Sequence, residues 1–198
     1  MGTIRDNVRE KWESRMNLVK SNLEYNEDAR AIATAEAMKH YYLLNGKAPK
    51  NPLMIVINMK EPSYRKRLYL YDIVTQKYLT NHHVAHGSGS ANPADKAYAV
   101  SFSNTPESHK SSKGAMITGN TYVGKHGRSC RLHGLEPEIN DNVDARDIVI
   151  HAADYMTDDF ILANNRAGCS WGCFALDPHI AQGFIDLVKG GTYLYVYA

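Results

Sequence analysis

Leu53-Met-Ile-Val-Ile-Asn58 and, after a short gap, Arg67-Leu-Tyr-Leu-Tyr-Asp-Ile73 are the stretches that decide the fold. The first is an unbroken apolar run between Pro52 and Asn58, the pattern of a strand buried on both faces. The second alternates Leu68, Leu70 and Asp72 with Tyr69, Tyr71 and Ile73, the period of a strand with two unlike faces. Residues 78–84, 97–102, 147–151 and 192–197 are further short strand candidates. Between them lie Gly- and Ser-rich stretches, His86-Gly-Ser-Gly-Ser90 and residues 108–114. Short strands punctuated by turn residues predict a β-rich sandwich or barrel.

Upstream the periodicity is different. Ile4, Val8, Trp12, Met16, Val19 and Leu23 recur every three or four residues and make one helical stripe. Asn26-Glu27-Asp28 interrupts it and suits the cap of a second helix over residues 29–44, with Ile32, Ala35, Met38 and Tyr42 on one side. Gly46 and Pro49 stop that helix. Near the other end, Asp177 caps a helix, Pro178 fits its first turn, and Gly190-Gly191 ends it. The expectation is a mainly β fold with flanking helices: a helical segment over residues 1–45 packed on a β-rich catalytic body over residues 46–198.

The 198 residues carry 23 basic and 21 acidic side chains, a net charge of +2. That balance excludes a dedicated nucleic-acid binder, which needs a basic excess, and disfavours adsorption to a membrane surface. The longest apolar run ends at Ile57, so no transmembrane segment is expected. The charged N-terminus shows no apolar leader. Tyrosine is abundant at 13 against 4 phenylalanines, which fits tyrosine-rich strands or a groove for a polar polymer. The cysteines, Cys130, Cys169 and Cys173, are odd in number, so at least one thiol is free or pairs outside the chain.

Cys173 sits in Gly168-Cys-Ser-Trp-Gly-Cys173-Phe-Ala-Leu176, just before the capped helix. A buried inert thiol is the ordinary fate of a cysteine. Gly172 beside it, however, permits a sharp turn that aims successive N–H groups at one point, as an oxyanion requires. His151 ends the apolar strand Asp147-Ile-Val-Ile150, where an imidazole emerges at a strand end. A cysteine nucleophile needs such a base, and the base needs a third group to fix its tautomer. A neighbouring base and a helix entry are expected to lower the thiol pKa. Cys169, Cys173, His179 and His151 are also a possible metal set, although their spacing matches no familiar finger. His82, His83, His86, His126 and His133 are scattered among turn residues.

Ile150-His151-Ala-Ala followed by Ser170-Trp-Gly-Cys173 resembles the signature of the L,D-transpeptidase (YkuD-type) family, and most closely its divergent murein branch. Phe102-Ser-Asn-Thr-Pro106, Thr121-Tyr122, Gly124-Lys-His-Gly127, Leu135-Glu-Pro137, Asn140-Asp-Asn142, Val84-Ala-His-Gly87 and Leu187-Val-Lys-Gly-Gly191 share the resemblance, which spans residues 31–198. It implies a peptidoglycan cysteine acyltransferase located in the periplasm or cell envelope. Cys173 would be the nucleophile, His151 the base, and the Gly172 and Cys173 N–H groups the oxyanion donors, with Ser170 orienting His151. Tyr122 would line the groove, joined by Trp171, which stands where the main family has histidine. Ala175 replaces a residue that often holds the substrate carboxylate, leaving Lys125, Arg128 and Arg131 as the candidate cations. The implied partners are peptidoglycan stem peptides, and no cofactor or metal is implied. A murein L,D-carboxypeptidase, another cysteine peptidase and a non-catalytic wall-binding module are the alternatives. The oligomeric state is left open.

Overall fold

The computed structural model describes residues 26–44 and 52–198. The helix expected over residues 3–23 lies outside the described residues. The elements run α1 (Glu27–Leu43), β1 (Leu53–Asn58), β2 (Leu68–Asp72), β3 (Lys77–His82), β4 (Gly114–Gly124), β5 (Gly127–Gly134), β6 (Val149–Ala152), α2 (Asp158–Asn164), β7 (Phe174–Leu176), α3 (Pro178–Val188) and β8 (Tyr193–Tyr197). The strands form one eight-stranded mixed sheet in the order β3-β2-β1-β8-β4-β5-β6-β7. The mainly β architecture with flanking helices matches the sequence expectation.

β1 is the hinge of the packing. It runs antiparallel to β2 and parallel to β8, so both its edges are paired. Its alternate residues feed two cores. Ile55 and Ile57 join Leu68, Leu70, Met116, Phe174, Leu194 and the inner face of α3, namely Ala181, Phe184, Ile185 and Val188. Met54 and Val56 face the other way, with Tyr69, Tyr193 and Tyr195, beneath Ala33 and Ala37 of α1. Fully burying each large apolar chain contributes roughly 1.5–3 kcal/mol.

α1 starts where Asn26 accepts the Ala29 N–H at 3.1 Å, with Glu27 and Asp28 in its first turn. Small residues on its buried side let the backbone approach the tyrosines. Thr34 accepts from the Tyr78 hydroxyl at 2.8 Å, and Asn58 Nδ2 donates to the Ala29 carbonyl at 3.1 Å. Much of the tyrosine excess therefore builds a helix-packing face.

The structure differs from the sequence expectation in five places, the first being α1, which buries Ala33, Thr34 and Ala37 and leaves the expected Ile32, Ala35 and Tyr42 exposed. Residues 97–102 are not a strand: Ala99 makes only an isolated bridge to Ala91. The long hairpin β4–β5 is unforeseen because glycine, threonine and polar residues break its alternation. The three-residue β7 is too short to carry a period. The seven-residue helix α2, capped by Thr157, is likewise too short to announce itself.

Candidate active site

β6 pairs in parallel with β7, Ile150 opposite Phe174 and His151 opposite Ala175. Ile150, Phe174 and Leu176 point into the main core, whereas Ala175 belongs to a separate cluster with Ala85, Met156, Ile161 and Ala167. Residues paired across parallel strands share a face and alternate along each strand. His151 and Ala175 therefore lie on the same face of the sheet, and Cys173 stands immediately before β7.

His151 is 2% exposed, and its Nδ1 lies 2.8 Å from the Ala152 carbonyl oxygen. A carbonyl only accepts, so Nδ1 carries the proton and Nε2 presents its lone pair. The third group that fixes the tautomer is thus backbone, supplied by the residue next to the histidine. Burial pushes the His151 pKa down, and the neighbouring His126 imidazole adds to that. The Cys173 thiol donates to the Asp147 carbonyl at 3.4 Å. Burial pushes its pKa up and the Asp147 carboxylate adds to this, while the Val149 N–H and the Arg146 guanidinium oppose it. The expected lowering of the thiol pKa is therefore reversed. At rest the pair is a neutral thiol and a neutral imidazole.

The turn before Cys173 is held by serines. Gly172 has φ +122°, and a Cβ there would meet Ile148 Cδ1 at 2.6 Å and the Lys110 carbonyl oxygen at 2.9 Å, so only glycine fits. The Gly172 N–H donates to Ser170 Oγ at 3.1 Å, and that hydroxyl donates to the Cys173 carbonyl at 2.7 Å. The Ser170 carbonyl accepts the Ser88 N–H at 2.8 Å. Ser170 therefore shapes the turn before Cys173 rather than orienting His151, and it occupies the Gly172 N–H expected to face an oxyanion.

Sequence reasoning passed over Arg146 and Ser111. Arg146 donates to the Ser103 carbonyl, to Ser112 Oγ at 2.7 Å, to Ser108 Oγ at 3.2 Å and to the Lys110 carbonyl at 2.6 Å. It thereby pins the segment from Ser103 to Ser112. Within that segment Ser111 accepts the Gly87 N–H at 3.0 Å and donates to the Gly172 carbonyl at 2.9 Å. Burial lowers the Arg146 pKa, and the Cys173 charge raises it. A lone arginine in a loop gives no sequence signal for this.

The expected substrate-facing residues fall in different places. Tyr122 lies under Arg131, whose guanidinium carbon is 4.6 Å from the ring centroid. Arg131 also pairs with Asp144 and Asp147, each at 3.5 Å. Arg128 points instead to α3, where Asp186 takes both its nitrogens at 2.7 and 3.0 Å. Lys125 is exposed beside His126 at the hairpin tip. Trp171 is 75% exposed and stacks on His109 with centroids 4.7 Å apart. With Pro106, Glu107, Ala145, Arg146 and Asp147 these two rings line a groove of about 160 Å³.

The other thiols are elsewhere. Cys130 is buried and pushed up to about 11 by burial. Cys169 lies 3.9 Å from His86 Nε2, and Nδ1 of the same ring faces an Arg67 nitrogen at 2.8 Å. Among the described residues no three His, Cys, Asp or Glu side chains are grouped to hold a metal ion.

Solved structures of similar shape include an L,D-transpeptidase from Mycobacterium smegmatis (12% identity, 74% of this chain and 59% of that one, TM-score 0.45). L,D-transpeptidase 1 of Mycobacterium tuberculosis (11%, 75% and 63%, TM-score 0.41) is another. A third is a fused Zn-dependent amidase/peptidase/peptidoglycan-binding-domain protein of Clostridium acetobutylicum (16%, 87% and 62%, TM-score 0.46). The chain spans about three-fifths of the length of these structures. No curated protein sequence matches it. The sequence model of the L,D-transpeptidase catalytic domain matches residues 25–197, nearly the whole chain, and the protein belongs to that family.

Proposed function

We propose that the protein is a peptidoglycan L,D-transpeptidase of the cell envelope, working through a Cys173 thioester. The observation that supports this reading is Cys173 at the entry to β7, the strand paired in parallel with the β6 that carries His151, with the His151 tautomer fixed by the Ala152 carbonyl. His151 Nε2 takes the thiol proton as sulfur attacks the carbonyl of the third stem residue. The tetrahedral oxyanion is met by the Cys173 N–H, because the Gly172 N–H is already held by Ser170. Collapse expels D-Ala, whose amine takes the proton back from His151. The side-chain amine of a second stem then attacks the thioester, gives a 3→3 cross-link and frees the thiol. Water in place of that amine makes the protein an L,D-carboxypeptidase. Arg131, stacked on Tyr122 and paired with Asp144 and Asp147, is the cation assigned here to a substrate carboxylate.

Tetrapeptide stems incubated with the protein and read by mass spectrometry test the reaction. Loss of D-Ala with a cross-linked dimer supports transfer, and loss of D-Ala alone supports hydrolysis. An unchanged substrate, with no adduct on Cys173, overturns both.

A further inference from the structure

β4 and β5 close on Gly124 opposite Gly127, so Lys125 and His126 form a two-residue hairpin loop, with Gly127 at φ +72°. The register of the hairpin slips between Thr118 and Thr121, and such a bulge bends a strand and re-aims its end. The result is specific. The exposed His126 ring lies on the buried His151 ring, with centroids 4.5 Å apart and planes 26° from parallel. With Trp171 standing where the main family has histidine, the sequence leaves His151 as the one imidazole of the signature. The hairpin brings a second imidazole to it from a different part of the chain.

We propose that His126 is a positioning residue for His151: its imidazole covers one face of that ring and holds it in the plane set by the Ala152 carbonyl. The role rests on the assignment of Cys173 and His151 to the chemistry. The covering ring shields one face of the His151 ring from water and limits its rotation. His151 is thereby held with Nε2 free to accept the thiol proton. Once that proton has moved, the imidazolium beside Cys173 is balanced by the thiolate.

The charged and titratable groups on the segments adjoining His151 come from four elements. His126 comes from the hairpin tip, and Cys173 immediately precedes β7, the strand paired with β6. Arg131 of β5, opposite Val149, is paired with Asp144 and Asp147. Asp154 and Tyr155 follow β6, and the Tyr155 hydroxyl is pushed up to about 12 by burial and by the two nearby thiols. Of these, His126 is the one in ring contact with His151.

The test is a histidine-labelled NMR titration of the full chain, with the His151 signals identified by their loss in His151→Asn. It is run beside the pH–rate profile for acylation of Cys173 by a carbapenem. His126→Phe keeps a stacked ring without charge, and His126→Ala removes both. The expected result is a rise in the His151 pKa in His126→Phe and a larger rise in His126→Ala, which also opens the ring to water. The acid limb of the acylation profile should move up in step. A His151 titration unmoved in both variants overturns the proposal. A titration that moves in a protein that no carbapenem or stem peptide acylates upholds the ring contact and overturns the transpeptidase reading instead.

Discussion

The Ser111 hydroxyl donates to the Gly172 carbonyl at 2.9 Å, tying two residues 61 apart in the chain at the base of the nucleophile turn. The same oxygen accepts the Gly87 N–H, and the Ser111 N–H donates to Ser90 Oγ at 2.9 Å. Ser111 is fully buried, so nothing in solvent replaces these bonds. Ser111→Ala leaves a buried carbonyl and a buried N–H unmatched. We expect a loss of about 1–3 kcal/mol in denaturant unfolding, together with slower acylation of Cys173. Unchanged stability and unchanged acylation would show that the turn does not depend on Ser111.

Arg146 yields the second prediction. Its charge opposes the burial that raises the Cys173 pKa. Removing the charge in Arg146→Gln should raise that pKa further. Iodoacetamide labelling of Cys173 at neutral pH, which follows the thiolate fraction, should then slow by about threefold to tenfold. Arg146→Lys keeps the charge without the fork and should label at an intermediate rate. Equal rates in wild type and both variants would confine Arg146 to holding the Ser103–Ser112 segment.

The sequence carried the strands with strong patterns and the two residues of the candidate pair. Leu53–Asn58 and the alternation after Arg67 announce β1 and β2 because apolar periodicity survives in them. His151 and Cys173 were legible as a strand end and a glycine-flanked turn. The groups around them were not. The tautomer partner of His151 is a backbone carbonyl, which every residue possesses. Ser170 looked like a partner for His151 because it is close in sequence, yet its hydroxyl is spent within its own turn. Arg128 looked free until α3 delivered Asp186 to it. The thiol pKa failed for a similar reason: a helix entry and a nearby base suggest a lowered value, but burial is a tertiary quantity, and here it dominates.

His86 should give the protein an acid-sensitive limb. Its ring is buried and Nδ1 faces an Arg67 nitrogen, so the folded state holds it neutral, with burial first and the Arg67 charge second lowering its pKa to about 3. In the unfolded chain a histidine titrates near ~6.5. Between those values the unfolded chain binds a proton that the folded chain refuses. The His86 contribution is therefore complete above about 6.5 and falls as pH drops toward 3, by at most about 1.4 kcal/mol per pH unit. Denaturant midpoints at several pH values should show a steeper decline in the wild type than in His86→Gln, which keeps an acceptor for Arg67 but does not titrate. Identical slopes would remove His86 from the acid response.

Trp171 separates binding from folding. It is 75% exposed and stacks on His109 at the mouth of the groove that reaches Arg146 and Asp147. An exposed ring buries little area, so Trp171→Ala should change stability by no more than about 0.5 kcal/mol. Its cost should appear in substrate capture, because the ring stands one residue before Gly172 and forms a wall beside the nucleophile. We expect KM for a tetrapeptide donor to rise severalfold with kcat nearly unchanged, the pattern of an interaction made equally in ground and transition states. Trp171→Phe should recover most of the loss, since it restores an aromatic face without the indole N–H. A kcat that falls with KM unchanged would instead place the ring in the chemical step, and a large drop in Tm would show that the stack on His109 supports the turn itself.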